Sequence, residues 1–117
     1  FWGAQHHWGN SMRLGAAERL GLDYANLRAI NPKIILACAS GFRKNSSARD
    51  LPAYDDLIQG MSAMPALFHE AGASSPRYAP LAIADRITGL AAVNAITTAL
   101  FARSRTGKGQ SVEVPMF

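Results

Sequence analysis

The chain has 117 residues, of which 49% are hydrophobic, so it can form one modest core and is too short for two domains of ordinary size. Its net charge of +4 and pI near 9.7 come from scattered basic residues with no interleaved aromatics, which argues against a nucleic-acid partner. Phosphate-sized anions fit this pattern at least as well. Because the chain opens on Phe1 and stops after a strand-like run, we interpret it as a piece of a larger unit.

Cysteine usage and hydropathy bear on the compartment. The single cysteine, Cys38, excludes a disulfide framework and offers no metal-ligand spacing, which favours a reducing, cytoplasmic setting without a metal. No apolar stretch reaches the roughly 18–20 residues that span a bilayer, and the first ten residues lack a signal-peptide pattern. We therefore expect a soluble protein with no membrane partner.

The first third of the chain predicts helices followed by a buried strand. Residues 12–29 indicate two short helices broken at Gly21, with Asp23 as the N-cap of the second. The apolar run 33–40, "KIILACAS", predicts a central strand buried on both faces, as in a parallel sheet. An α/β fold is therefore favoured. The adjacent His6 and His7 have no accompanying ligand, and we interpret them as part of a linker remnant.

The middle of the chain predicts an amphipathic helix over residues 54–69, which Gly60 and Pro65 weaken. The apolar stripe of this predicted helix consists of Leu57, Met61, Met64 and either Leu67 or Phe68.

After a loop and the run "LAIAD", a second helix is predicted from about Arg86 to Arg103. This helix is apolar nearly all round, so it is predicted to be buried; the residues at its three- and four-residue steps are Ile87, Leu90, Val93, Ile96 and Leu100. The segment "RTGKGQ" predicts its end at a glycine turn, and "SVEVPM" predicts a final strand.

Asp85 is the sharpest candidate for chemistry. It stands at the predicted junction between an apolar run and a helix, where the helix N–H groups would favour an ionised carboxylate. Such a residue is either a plain N-cap or a nucleophile toward activated acyl groups. The spacing alone favours the cap.

The other candidates have structural interpretations. Cys38 and Ser40 are predicted core residues, and His69 is predicted to satisfy carbonyls at a helix end. For Arg19, which could form a surface ion pair or hold a phosphate, and for Tyr54, which could line a pocket, the spacing does not decide.

Three stretches together identify a family: "AAERLGLDYANLRAINPKIILACASGF", "RDLPAYDDLIQGMSA" and "APLAIADRITGLAAVNAITTALFARSRTGKGQSVEVPMF". They closely resemble successive segments of the class III CoA-transferases, the CaiB/BaiF and formyl-CoA transferase group, in one order and without a large gap. The resemblance implies a partial class III domain over residues 12–117, after a poorly matching segment 1–11. It also implies part of a Rossmann-like α/β domain with short parallel strands and packed helices.

The resemblance assigns roles to three residues. Asp85, in the family's "AD-x-x-x-G" segment, matches the covalent nucleophile that moves CoA from an acyl-CoA to a carboxylate through an aspartyl intermediate. Arg19 matches an arginine that contacts CoA, and Tyr54 matches a tyrosine that lines the active site. The related α-methylacyl-CoA racemases carry a histidine at the Tyr54 position, and tyrosine, with a reference pKa of about 10, is a poor base near neutral pH.

Several expectations follow from the resemblance. The family implies CoA as a substrate thioester with no further cofactor, and a homo-oligomer, most simply an interlocked dimer. A noncatalytic module that holds an anion such as CoA through Arg43, Lys44 and Arg49, or that serves oligomerisation, remains the alternative, with the racemase branch third.

Overall fold

The computed structural model describes residues 7–10 and 14–117, with side chains from residue 15 onward. In chain order the elements are β1 His7–Asn10, α1 Leu14–Arg19, α2 Tyr24–Ile30, β2 Ile35–Ser40, α3 Asp55–Met61, α4 Met64–Glu70, α5 Ile83–Thr106 and β3 Gln110–Pro115. None of the described helices combines the length and the hydropathy needed to cross a bilayer.

The described strands form one parallel sheet in the order β1-β2-β3. β1 pairs with β2 from His7 opposite Ile35, and β2 pairs with β3 from Ile35 opposite Gln110. The predicted α/β fold with short parallel strands and packed helices is therefore confirmed. The linker interpretation was wrong for His7, which begins a strand, whereas His6 lies outside the described residues. "HWGN" has no apolar alternation, so its strand depends on pairing with β2.

The core is built around β2, as predicted. Residues 34–38 are all buried, and Ile35 is completely inaccessible to solvent. On the side toward α2, Leu27 packs with Ile34 and Leu36. A strand that is covered on both faces has a continuous run of apolar residues, and this run is the reason that β2 could be predicted from the sequence.

The predicted cap of α2 is also confirmed. The Asp23 carboxylate accepts hydrogen bonds from the backbone N–H groups of Ala25, at 2.9 Å, and Asn26, at 3.1 Å. The hydrogen bond from the Asn26 backbone is the main cause of the lowered Asp23 pKa, with smaller contributions from the Asn26 side chain and Ala25, while desolvation opposes the shift. The cap and the αL conformation of Gly21 (φ 69°) together separate α1 from α2.

The single amphipathic helix predicted over residues 54–69 is two helices. The first helix ends at Met61, and Ala63 adopts a left-handed conformation with φ 59° before the second helix begins. The predicted stripe was wrong for Leu57, Met61 and Leu67, which are 44%, 50% and 58% exposed, whereas Met64 and Phe68 are half-buried. Ile58 and Gln59 are the buried residues of α3. Leu57 and Met61 precede the break, so their exposure reflects the face that α3 turns inward, which carries Ile58 instead.

The final helix starts earlier and is more exposed than predicted. α5 begins at Ile83 rather than near Arg86 and ends where Gly107, in the αL conformation, donates its N–H to the Arg103 carbonyl. Its buried residues are Thr88 and Ala99, whereas Leu90 is 68% exposed. The prediction of an all-round buried helix was therefore wrong within the described chain. α5 packs against the sheet and α3, which together cover only part of its surface.

Gly89 provides a test of helix energetics in α5. A Cβ at this helical position would meet no atom within 4 Å, so alanine adds no clash and removes backbone entropy from the unfolded chain. We expect Gly89→Ala to raise the free energy of unfolding by about 0.5–1 kcal/mol. Urea denaturation followed by circular dichroism measures it, and a loss of stability would show that this helix surface is not open.

Candidate functional site

The N-terminus of α5 is capped from another helix. Ala82 occupies the N-cap position and offers no side-chain hydrogen bond, and Asp85 lies within the first turn. The cap comes from Asp55, whose Oδ1 accepts the backbone N–H of Asp85 at 2.8 Å. The expectation that the Asp85 carboxylate itself faces the N–H groups as an N-cap was therefore wrong. The physical reason is the earlier start of α5, which places Asp85 inside the helix.

The Asp85 carboxylate is available for chemistry. The side chain is exposed, and within the described part of the chain it forms no hydrogen bond or ion pair. Its place in the first turn still gives it the favourable field of the helix dipole. A carboxylate whose lone pairs are not occupied by donors keeps its full capacity to attack an electrophile.

Asp55 has the opposite environment. Desolvation raises the pKa of its carboxyl, but hydrogen bonds from the Asp85 backbone, the Gln59 side chain and the backbones of Ala84 and Ile83 lower it, and the pKa falls below its usual value. The two acids near the start of α5 thus differ in function: Asp55 accepts the hydrogen bonds of the helix end, and Asp85 remains open.

Gln59 connects Asp55 to the segment that leads into α5. It is 2% exposed, and its Nε2 donates to Asp55 Oδ2 at 2.5 Å and to the Leu81 carbonyl at 3.3 Å. Its Oε1 accepts the Ala79 N–H at 2.8 Å. The sequence analysis did not identify Asp55 or Gln59 as site residues. Their spacing of four residues places them on one helix face, which is typical of a hydrogen-bonded pair of side chains.

Tyr54 lies at the N-cap of α3, directly before Asp55, and is 65% exposed. Its side chain makes no capping hydrogen bond. Because Asp55 contacts the backbone of Asp85, the fold brings the start of α3, and with it Tyr54, to the start of α5. Two of the three predicted site residues therefore belong to one region.

Arg19 has no direct contact with that region among the described residues. It ends α1 and is exposed, with Nη1 3.8 Å from where a Cβ on Gly15 would stand. Within the described residues no hydrogen bond or ion pair joins Arg19 to α3 or α5. The described structure thus shows no direct link between Arg19 and Asp85.

The basic residues of the loop after β2 are largely engaged. Glu18 forms ion pairs with Lys44 Nζ at 3.3 Å and with Arg49 Nη2 at 3.8 Å. The Lys44 backbone N–H also donates to Glu113 Oε1, and Arg49 Nε lies 3.6 Å from Asp50. These acids reduce the positive field that an anion site built on Lys44 and Arg49 would need.

A separate pocket of about 100 Å³ lies against the sheet, and Asp85 does not line it. Its lining includes Cys38, Lys44 and the carboxylates of Glu18, Asp23 and Glu113. Burial raises the Cys38 pKa, Glu113 raises it further and Lys44 opposes the shift. A thiol held protonated in this way fits the predicted core role rather than nucleophilic catalysis.

The capping role of Asp55 predicts a pH-dependent stability. We expect Asp55→Ala to lower the free energy of unfolding by about 1 kcal/mol near neutral pH, as for loss of an N-cap. Since the folded pKa is depressed, the carboxylate's contribution is present above the unfolded pKa of about 3.8 and is lost as the pH falls through the folded value. Urea titrations at pH 7 and below pH 4 measure the difference.

Asp56→Ala is the matched control, because the Asp56 carboxylate accepts only the N–H of Leu57 in its own helix within the described residues. Equal losses for the two variants, or a difference that does not shrink in acid, would contradict the cap across helices.

Comparison with known proteins identifies the family. Residues 8–117 match the model of CoA-transferase family III. The chain is 36% identical to acetyl-CoA:oxalate CoA-transferase of Acetobacter aceti and 37% identical to succinate–glutarate CoA-transferase of Agrobacterium fabrum, each over 92% of this chain. It spans only 28% and 26% of those two relatives.

Comparison with solved structures gives the same family. The chain superposes on a CaiB/BaiF family protein from Brucella suis with a TM-score of 0.87 and 34% identity, covering 99% of this chain and 30% of that protein. The match extends over the elements that carry Asp55, Gln59 and Asp85. The chain belongs to CoA-transferase family III.

Proposed function

We propose that the chain supplies the nucleophile for transfer of CoA from an acyl-CoA to a carboxylate, and that Asp85 is that nucleophile. The observation that carries the proposal is the exposed Asp85 carboxylate in the first turn of α5, whose backbone N–H is bound by another acid. The membership of the family and the "AD-x-x-x-G" pattern around Asp85 and Gly89 support the same role.

The proposed chemistry begins with attack of an Asp85 carboxylate oxygen on the thioester carbonyl. The C–S bond breaks, CoA leaves as the thiolate, and a mixed anhydride forms between the acyl group and Asp85. The thiolate then attacks the aspartyl carbonyl, which releases the donor carboxylate and leaves an aspartyl-CoA thioester.

The acceptor completes the cycle. Its carboxylate attacks the aspartyl-CoA thioester, forms a second anhydride and expels the thiolate. Attack of the thiolate on the acceptor acyl carbon gives the new acyl-CoA and restores the Asp85 carboxylate. Charge is conserved at each step, so we propose no cofactor or metal beyond the CoA thioester itself.

Substrate contacts are part of the proposal. Tyr54, exposed beside the start of α5, lines the acyl end of the site, and Arg19 contacts CoA at a distance from Asp85. Because the names of both relatives above include dicarboxylates, oxalate and glutarate, small dicarboxylates are the first acceptors to test.

Assembly and location complete the proposed function. We propose that residues 12–117 form part of one catalytic domain that acts as a homodimer in the cytoplasm. The exposed apolar side chains Ile87, Leu90 and Val93 of α5 support association, because such a surface gains stability when it is covered. The single buried cysteine fits a reducing compartment.

A trapping experiment tests the proposal. The chain is incubated with a panel of acyl-CoA donors, and intact mass spectrometry with peptide mapping locates any adduct. An adduct on Asp85 that hydroxylamine removes supports the aspartyl intermediate. A folded chain that binds CoA saturably and forms no adduct with any donor would favour a binding module instead. Light scattering on the same samples measures the proposed dimer.

A further inference from the structure

We propose that Gln59 is a positioning residue that fixes the orientation of Asp85. This inference rests on the proposed function, since it assigns Gln59 a role in presenting the nucleophile. Gln59 does not touch the reacting atoms. It acts through Asp55 and through the backbone of residues 79–81, which enter α5.

Gln59 holds the segment before Asp85 at two separate points. Its amide contacts the Ala79 N–H and the Leu81 carbonyl on the approach to α5. Through Asp55 it also reaches the Asp85 N–H inside the first turn. A segment attached at both ends cannot rotate about either contact alone, so the direction of the Asp85 Cα–Cβ bond, from which the carboxylate projects, is set.

The chemistry of the amide suits this position. Both Nε2 hydrogens and one lone pair of Oε1 are used, so the buried side chain is well satisfied. Residues 79–82 form no helix or strand, and the Ala79 N–H and the Leu81 carbonyl have Gln59 as their side-chain partner. An ionised carboxylate at this position has no donor, and an apolar side chain has neither donor nor acceptor. Only an amide serves all three partners.

The consequence for catalysis is orientation rather than binding. A nucleophile must stand about 3–3.5 Å from the carbonyl with aligned orbitals, and small displacements lower the rate steeply. Loss of Gln59 should thus slow the formation of the anhydride while leaving the affinity for acyl-CoA, which other residues supply, close to its original value.

The test compares Gln59→Met, a similar volume without polar atoms, with Gln59→Glu, which keeps the length and an acceptor but removes the donor to Asp55. Ser62→Ala is the matched control. Within the described chain the Ser62 hydroxyl donates only to backbone carbonyls of α3, those of Ile58 and Gln59. Single-turnover adduct formation gives a maximal rate constant, a half-saturating acyl-CoA concentration and an amplitude. Hydrogen exchange reports on the Asp85 amide.

We expect the maximal rate constant to fall about 10–100-fold in Gln59→Met, with half-saturation within about twofold of the original chain. The Asp85 amide should exchange about tenfold faster, although its direct partner is Asp55 and not Gln59. A merely structural role would lower the amplitude, because fewer molecules are folded, and leave the rate constant unchanged. Gln59→Glu should show the same slowing should Gln59→Met fail to fold.

Two outcomes separate the inference from the proposed function. An unchanged rate constant in a folded variant overturns the positioning role while the nucleophile stands. Absence of any adduct in the original chain overturns the proposed function, and the Asp85 amide then decides the positioning role: faster exchange in a folded Gln59 variant supports it, and unchanged exchange overturns it.

Discussion

Replacement of Asp85 by asparagine should abolish the covalent adduct while leaving the fold intact. The amide is nearly isosteric with the carboxylate but is not a nucleophile, so we expect adduct formation to fall by at least about 1,000-fold, below detection. The side chain is exposed and makes no hydrogen bond or ion pair within the described residues, so stability should change by less than about 0.5 kcal/mol. Intact mass spectrometry and thermal denaturation measure the two quantities.

Asp56→Asn is a matched control for this result, because Asp56 is also an exposed acid in the first turn of a helix. It should form the adduct at the original rate. An adduct that persists in Asp85→Asn would identify a different nucleophile, and peptide mapping would then distinguish Asp55, at the same helix end, from Cys38, in the core.

Local chemistry explains what the sequence could predict. The cap by Asp23, the continuous apolar run of β2 and the glycine turn at Gly107 are each determined within a few residues. For that reason their predictions were confirmed, as was the α/β class that follows from a strand buried on both faces. The family match agrees with the resemblance found in the three sequence segments, which follow one another in the same order as in the family.

The environment of Asp85 could not be predicted in the same way. It depends on a contact between residues 30 positions apart, in which Asp55 of α3 caps α5. The sequence placed Asp55 near the start of one predicted helix and Asp85 just before the next, and it did not show that one would bind the other's backbone. The buried Gln59 was overlooked for a related reason, since the predicted stripe placed Leu57 and Met61 inward and a glutamine outward.

The exposed surface of α5 shows a further limit of pattern analysis. Ile87, Leu90 and Val93 indicated a helix that prefers burial, but hydrophobicity does not state which surface covers it. Within the described chain the sheet and α3 leave these side chains open. The pattern predicted that burial of these side chains is energetically favourable. Which surface buries them is a separate question, and the proposed answer is the second copy of the chain in a dimer.

Gly109→Ala should be strongly destabilising, much more so than alanine at Gly89 or Gly107. A Cβ at Gly109 would lie 2.1 Å from the Ile34 carbonyl oxygen and 2.7 Å from the Ile34 nitrogen, both backbone atoms at the start of β2. The clash would separate β3 from β2, where the Gly109 N–H donates to Pro32 at 3.2 Å and the Gln110 N–H donates to Ile34 at 3.0 Å. We expect a loss of about 3 kcal/mol or more, from overpacking and weakened hydrogen bonds, and a fall in Tm on the order of 15 °C.

The same change at two other glycines separates the causes. Gly107→Ala meets no atom within 4 Å but must keep φ 71°, so it should cost about 1 kcal/mol from backbone conformation alone. Gly89→Ala, in open helix, should stabilise. We expect the alanine variants to fall in the order Gly89→Ala, Gly107→Ala, Gly109→Ala, from most to least stable. This order tests whether the close approach of β3 to β2, rather than the loss of glycine itself, controls the stability of the sheet. A Gly109→Ala variant as stable as Gly107→Ala would show that the entry of β3 can move away from Ile34 at little cost, so that this close approach does not control the stability of the sheet.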